Sequence, residues 1–295
     1  MNASSGPPQI FDSRRRAAKL ARNIDAFAAA DFLHVRAAEN AVNSLDVILR
    51  DFSDVVDLSA RPGPFARLLA DSAAAARVGA VAVAGDGAAR AAPGAAPLPF
   101  PEQSQDLIVS LMSLHWANDL PGALMQIKRA LRPDGLFLGT LLGAGTLKEL
   151  RAVLTEAELE VRGGAQARVS PFADGFDGAA LLQRAGFALP VADVDRLTVR
   201  YSDLYALIRD LRAMGETNAL SGPIRPITRG MLARAAEIYA ERHADADGRL
   251  RATFEIVHLA GWAPHESQQK PLPRGSAKVR LADALGVREW TDEDG

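Results

Sequence analysis

The chain has 295 residues, with 34 basic and 36 acidic side chains, a net charge of −2 and no cysteine. The near balance of charge gives no support for a nucleic-acid-binding surface, and without cysteine there is no disulfide, thiolate metal site or cysteine nucleophile. No apolar run is long enough to span a membrane and no signal-peptide core follows the N-terminus. These features predict a cytoplasmic protein with room for one large domain.

Strands and helices are predicted to alternate through the first half of the chain. Residues 1–9 are polar and proline-rich, and helical periodicity runs from about Arg14 to Leu49. Four buried strands follow, separated by helices. They are predicted to end at Asp57, Asp86, Ser110 and Leu142. This alternation is typical of a mostly parallel sheet covered on both faces.

The second half of the chain predicts an antiparallel edge. Two segments of alternating polarity, from about Val194 to Tyr201 and from Thr253 to Leu259, are typical of strands with one solvated face. Between them, helices are predicted around Leu204 to Met214 and Met231 to His243, as a lid over the carboxyl edge of the sheet. The predicted organisation is an N-terminal tail with helices (1–50), a main domain (51–262) with an insertion at about 202–248, and a C-terminal extension (263–295).

The stretch DVVDLSARPGPFARLLAD, residues 54–71, has the outline of a nucleotide-binding loop. A short apolar strand runs to Asp57, and a tight turn leads into an amphipathic helix. Such loops are glycine-rich, because glycine lets the backbone turn sharply and approach the ligand closely. Ser59, Arg61 and Gly63 stand at the three expected glycine positions, so one glycine of three is present.

Other motifs give weaker indications of chemistry. Gly143 and Gly145 form a partial dinucleotide fingerprint that is better interpreted as a turn. His258 lies in a predicted strand and is interpreted as a packed histidine. Arg209 and Arg212 lie near one another on a helix and indicate either an acidic partner or a solvated face. No histidine pair has metal-ligand spacing and no nucleophile elbow is present, so no metal site is predicted and no catalytic residue can be named.

Four longer segments carry a resemblance to a known family: LPFPEQSQDLIVSLMSLHWANDLPGALMQIKRALRPDGLFLGTLLG, RVSPFADGFDGAALLQRAGFALPVADVDRLTVRY, RDLRAMGETNAL and GWAPHESQQKP. In these segments the chain resembles the class I S-adenosylmethionine-dependent methyltransferases. Within them it resembles the branch of the arginine hydroxylase that assists assembly of respiratory complex I, with its bacterial relatives. The resemblance extends from about Ile10 to Ala277.

The resemblance implies a Rossmann-like, seven-stranded, mostly parallel sheet with an antiparallel C-terminal strand pair, and S-adenosylmethionine bound across the carboxyl ends of the early strands. Asp57 then matches the acid of the first loop and Gly63 its last glycine. Asp86 matches either the acid that binds the ribose or the acid of the third strand that faces the adenine. Ser110 and His115 match the pocket-lining segment after the fourth strand, although His115 could instead be a packed residue at the rim.

The two missing glycines predict backbone strain in the loop. A non-glycine residue at positive φ costs about 1–3 kcal/mol. If Arg61 adopts such a φ the loop is strained, and its side chain projects toward the methionine part of the cofactor. There the guanidinium could pair with the ligand carboxylate, but it would lie close to the like-charged sulfonium.

The sequence therefore leaves two alternative functions open. The first is an S-adenosylmethionine-dependent enzyme that modifies a protein side chain or a small molecule, with a complex I subunit as a partner that the resemblance implies. Methyl transfer depends chiefly on positioning, so the lack of a catalytic triad counts little against it. Hydroxylation is also allowed by the resemblance, but it needs an oxidant that the sequence does not identify. The second is a non-catalytic assembly or binding factor whose cofactor loop has degenerated.

Overall fold

The alternation of strands and helices predicted from the sequence is present in the computed structural model, which describes residues 9–85, 98–172, 178–269 and 286. The α-helices in these ranges are α1 (Ser13–Arg22), α2 (Phe32–Val47), α3 (Gly63–Ala70), α4 (Leu120–Ala130), α5 (Lys148–Arg162), α6 (Gly178–Arg184), α7 (Leu204–Met214) and α8 (Arg229–His243). The strands are β1 (Val55–Asp57), β2 (Val81–Val83), β3 (Gln105–Ser110), β4 (Leu131–Leu142), β5 (Ala188–Tyr201) and β6 (Leu250–Trp262).

The strands form one sheet in the order β2-β1-β3-β4-β6-β5. The pairs β1–β2, β1–β3 and β3–β4 are parallel, whereas β6 pairs antiparallel with both β4 and β5. The predicted α/β class, the mostly parallel sheet and the antiparallel C-terminal pair are confirmed. The late strands are longer than expected, and the helices between them are α7 and α8.

The prediction of seven strands is wrong for the described residues, which contain six. A single span, residues 84–104, connects β2 to β3. Residues 86–97 of this span lie outside the described part of the chain. The strand predicted to end at Asp86 ends at Val83, and Gly85 turns the chain with φ +81°.

Local capping sets the starts of the helices near the carboxyl edge. Asp119 caps α4 by accepting from the backbone N–H of Gly122, and Asp203 caps α7 by accepting from the N–H of Ala206. Helix α7 ends at Gly215, whose φ of +83° suits glycine because it lacks a Cβ. These caps satisfy backbone donors that a helix start leaves unpaired.

Alternating strand residues bury both faces of the sheet. Val55, Leu107 and Leu136 pack with α2, α3 and α5 on one face. Val56 and Ile108 pack with α4 and α6 on the other face. Because helices cover both faces, the central residues of β3 and β4 are apolar and buried, as at Leu107, Ile108 and Phe137. This arrangement leaves the carboxyl ends of β1 and β3 as the place where polar side chains collect.

The chain divides into two compact units, residues 1–264 and residues 265–295. The first unit holds every helix and strand named above. None of the described helices is long and apolar enough to cross a membrane.

Candidate functional site

The candidate site lies where β1 and β3 end side by side. Asp57 pairs with Val109 in the parallel register, so the loops that follow both strands leave the sheet at the same edge. The hydroxyl of Ser59 accepts a hydrogen bond from the backbone N–H of Leu111 at 2.8 Å, which joins the two loops. Open α/β sheets bind ligands in such a crevice beyond the carboxyl ends of their strands.

Asp57 is fully buried at the head of this crevice. Its Oδ1 accepts a hydrogen bond from the backbone N–H of Ser59 at 2.7 Å, whereas its Oδ2 has no hydrogen-bond partner among the described residues. Burial raises the pKa of Asp57, and the hydrogen bonds from Ser59 only partly oppose that rise. A buried carboxylate oxygen without a partner is costly, so this atom marks a place where a donor is missing.

Arg61 does not have the strained conformation that the missing glycines suggested. The described non-glycine residues with positive φ do not include Ser59, Arg61 or any other residue of the loop. The Arg61 side chain turns toward the N-terminal segment, where Nη2 donates to the carbonyl of Leu20 at 2.7 Å and the guanidinium lies 4.9 Å from the centre of the Phe27 ring. The loop has changed shape instead of accumulating strain.

Gly63 begins α3, and a Cβ atom placed on it would meet no atom within 4 Å. The protein therefore leaves open space at the start of this helix. On the neighbouring strand, Ser110 is fully buried and its hydroxyl has no hydrogen-bond partner in the described part of the chain. Gly63 is exposed, so the space beside it is open to solvent, whereas the hydroxyl of Ser110 is a buried polar group without a partner.

His115 belongs to a buried polar group that we name the Glu216 cluster: Arg16, His34, His115, Trp116 and Glu216. The Nε2 of His115 and the indole Nε1 of Trp116 lie 2.9 Å and 3.0 Å from the same oxygen, Oε2 of Glu216. Arg16 Nη1 lies 3.7 Å from the other oxygen, and the guanidinium lies 4.9 Å from the centre of the Trp116 ring.

Glu216 is ionised in this cluster. Burial raises its pKa, but the charge and hydrogen bond of His115 and the charge of Arg16 outweigh burial and bring it to about 2. An ionised carboxylate only accepts hydrogen bonds, so Nε2 of His115 carries the proton and donates it. In the neutral form of the ring, Nδ1 of His115 carries the lone pair, and no described residue makes a hydrogen bond to it. Burial lowers the pKa of nearby His34 to about 4.

The Glu216 cluster was only partly visible in the sequence. The sequence indicates His115 as a candidate, but no local pattern singles out Glu216, which follows Gly215 in the segment RDLRAMGETNAL. Arg16 lies in a stretch rich in alanine and arginine that indicates no site. Nothing local indicates that Glu216 meets a histidine 101 positions earlier in the chain.

The remaining predicted positions do not add to the site. Asp86 lies outside the described residues. Gly143 and Gly145 are in a turn, where the N–H of Gly145 donates to the carboxylate of Glu255 at 2.7 Å and leaves no room for a side chain. His258 is buried in β6. The described residues hold no group of three or more potential metal ligands.

Comparisons with known proteins agree with the fold. Residues 56–139 match the family model described as Methyltransferase domain. It is 45% identical over 186 residues to the protein named Arginine-hydroxylase NDUFAF5, mitochondrial, of Danio rerio, which covers 63% of this chain and 58% of that relative. The human protein of the same name is 44% identical over 186 residues, with 63% and 54% covered.

More distant relatives include enzymes named as methyltransferases. The Malonyl-[acyl-carrier protein] O-methyltransferase of Halorhodospira halophila is 36% identical over 192 residues, with 65% of this chain and 62% of the relative covered. A solved structure, the YcgJ protein of a Bacillus, is 13% identical, covers 78% of this chain and 99% of its own, and has a TM-score of 0.48. The chain thus spans less than two thirds of the length of the curated relatives it matches.

The prediction of a cytoplasmic protein is wrong by this comparison. The NDUFAF5 relatives are named as mitochondrial proteins. Composition misled because balanced charge and the lack of a membrane span do not distinguish one aqueous compartment from another.

Proposed function

We propose that this protein binds S-adenosylmethionine in the crevice between β1 and β3 and modifies a protein side chain during assembly of respiratory complex I. The observation that carries the proposal is Oδ2 of Asp57, a buried carboxylate oxygen without a partner at the point where class I methyltransferases hold an acid. The ammonium group of the cofactor's methionine part is a donor of the right charge for this oxygen. The complex I setting follows from the similarity to the NDUFAF5 proteins.

The chain's own residues have distinct parts in this proposal. Asp57 would hold the ammonium group, and the open space at Gly63 and the free hydroxyl of Ser110 would receive the rest of the cofactor. When bound, S-adenosylmethionine supplies an electrophilic methyl group. Arg61 would not contact the cofactor, because it is held by Leu20 and Phe27.

Within this proposal His115 is the candidate proton acceptor, and its side chain is fully buried. Glu216 holds the ring through Nε2 and leaves the lone pair of Nδ1 free, which is how a carboxylate sets the tautomer of a general base. We assign Nδ1 of His115 to receive the proton that the acceptor side chain loses. Trp116 donates to the same carboxylate oxygen and keeps the glutamate in place.

A non-catalytic assembly factor is the second candidate, and one observation favours it. The loop between β1 and α3 is tied to the N-terminal segment through Arg61, so this segment packs where a glycine-rich loop would stay open. Under this alternative the crevice serves as a rigid scaffold and binds no cofactor.

Calorimetric titration with S-adenosylmethionine and with S-adenosylhomocysteine distinguishes the two functions. We expect the protein to bind both. Loss of a charge-assisted hydrogen bond costs about 1.5–3 kcal/mol, so Asp57→Asn should weaken binding about tenfold or more. Asp71→Asn, which alters an exposed acid at the end of α3, is the matched control and should bind as the native protein does. Absence of binding to either ligand by the native protein would overturn the proposal in favour of the scaffold.

Modification is tested separately in cells that lack the gene. Mass spectrometry of complex I subunits should show one side-chain modification that the native gene restores and the Asp57→Asn gene does not. Full assembly of complex I by the Asp57→Asn protein, with no modification on any subunit, would support the non-catalytic alternative.

A further inference from the structure

A groove adjoins the Glu216 cluster on the side of α1 and α7. Its main cavity has a volume of about 870 Å³, and a second cavity of about 470 Å³ continues it. The two share the lining residues Asn23, Ile208, Arg212 and Leu232, so they form one groove. Pockets for small molecules enclose about 300–1,000 Å³. Together the two cavities exceed this range, which suits an extended ligand such as a peptide segment.

The floor of the groove is apolar. Leu150, Leu154 and Leu211 are buried and line the main cavity, and Ile208 and Leu232 continue the apolar surface into the second cavity. Covering such a surface with apolar side chains is favourable at about 25 cal/mol for each Å² removed from water. The ligand therefore needs apolar side chains.

The walls of the groove are strongly basic. Its lining contains these cationic residues: Arg15, Lys19, Arg22, Arg168, Arg209, Arg212 and Arg225. Glu216 is the one carboxylate among the lining residues described. Arg15 lies near Asp12 and Arg168 pairs with Glu158, whereas the other five make no direct ion pair with any described carboxylate.

Two further groups show that the groove lacks a counter-charge and a polar partner. Burial and the charges of Arg15 and Arg22 lower the pKa of Lys19 to about 8, and the opposing charge of Glu216 does not offset them. Ser170 is buried in the wall, and its hydroxyl has no hydrogen-bond partner among the described residues. An anionic ligand would relieve the repulsion at Lys19 and could accept from Ser170.

We propose that this groove binds an extended, acidic segment of the protein substrate, with apolar side chains on the leucine floor and carboxylates at Arg22 and Arg212. This inference rests on the proposed function, since it names the substrate segment that the crevice would act on. A lone arginine side chain carries the same charge as the walls, so an arginine acceptor would need acidic neighbours to enter.

Fluorescence anisotropy with defined peptides tests the groove. The probe is a labelled octapeptide that alternates leucine with glutamate, and the matched peptides alternate leucine with glutamine or with lysine. We expect the glutamate peptide to bind about tenfold or more tightly than the glutamine peptide, and the lysine peptide not to bind. The double variant Arg22→Gln with Arg212→Gln should remove this preference, because both side chains are exposed at the rim and contribute charge without supporting the core.

The control variant is Arg14→Gln with Arg229→Gln, which removes the same charge from exposed positions outside the groove. A control that weakens binding as much as the groove variant, or equal binding of the glutamate and glutamine peptides, would overturn the inference. The peptide titrations are repeated with S-adenosylmethionine present. If the cofactor binds and the glutamate peptide does not, the groove inference fails and the proposed function stands. If the glutamate peptide binds and the cofactor does not, the proposed function fails and the groove remains a binding site for acidic peptides.

Discussion

His115 Nε2 and Glu216 Oε2 lie 2.9 Å apart, and this contact joins the carboxyl end of β3 to the end of α7. Both side chains are buried, and Arg16 from α1 completes the charge balance. The insertion between the late strands therefore reaches the crevice through a buried hydrogen bond. That it acts as a lid stays a prediction.

Removing the charge of Glu216 should strongly destabilise the protein. Glu216→Gln removes the carboxylate that lies beside the buried guanidinium of Arg16, and breaking a buried pair in this way costs about 3–5 kcal/mol. Chemical denaturation at pH 7 measures the loss. Glu102→Gln is the control, because Glu102 and its partner Arg129 are both exposed and should change stability by less than about 1 kcal/mol. A loss in Glu216→Gln as small as that of the control would show that the cluster does not stabilise the fold.

The ionised state of Glu216 also gives stability at low pH. Its pKa is lowered to about 2 in the folded protein, below the ordinary value of 4.5. The contribution of Glu216 is therefore fully present above pH 4.5 and is lost as the pH falls toward 2. The native protein should lose more stability than Glu216→Gln across this range.

His34 should make the protein sensitive to mildly acidic pH. Burial lowers its pKa to about 4, so the unfolded chain binds a proton at a pH where the folded protein does not. Stability is then lost as the pH falls from about 6.5 toward 4, by about 2 kcal/mol between pH 7.5 and pH 5. His34→Leu should flatten this dependence, whereas His265→Gln, at an exposed position, should not. An unchanged slope in His34→Leu would contradict the buried neutral state.

Arg61 should hold the N-terminal helix to the β1–α3 loop. Arg61→Gln removes the hydrogen bond to Leu20 and the contact with Phe27, a loss of about 1–2 kcal/mol. Hydrogen exchange measured by mass spectrometry should become faster in residues 13–29. Arg67→Gln, which changes an exposed arginine on α3, should leave exchange there unchanged.

The paired change Ser59→Gly with Arg61→Gly tests the strain argument directly. Neither residue has a positive φ, so no strain is released, and the glycines add freedom to the unfolded chain. We expect lower stability and no gain in cofactor affinity. A gain in affinity would mean that the loop does obstruct the crevice.

Asp57→Asn should stabilise the unliganded protein. Burial raises the pKa of Asp57, so its ionised form disfavours folding at neutral pH, and the amide oxygen can still accept from the N–H of Ser59. Thermal unfolding at pH 7 should show a higher midpoint for the variant, and the difference should shrink as the pH falls and Asp57 takes up a proton. A lower midpoint would show that Oδ2 is already satisfied within the protein.

The fold class followed from the sequence because it depends on periodicity. Apolar runs end at Asp57, Ser110 and Leu142, and they indicate strands that are buried on both faces, as in a parallel sheet. The alternating polarity of the late strands indicates one buried and one solvated face, as in an antiparallel pair. The number of strands did not follow from periodicity, because the count of seven came from the family resemblance and the described residues contain six.

The candidate site was likewise predictable from the sequence only in part. Asp57 and Gly63 were visible because loop residues next to a strand have local signatures. The direction of the Arg61 side chain depends on a backbone carbonyl some 41 positions away, and the charge of Glu216 depends on Arg16 and His115, which lie on other elements. By itself the sequence determined which residues stand at the carboxyl edge. Only the tertiary structure decided which of them meet, because those contacts are made between segments that are distant along the chain.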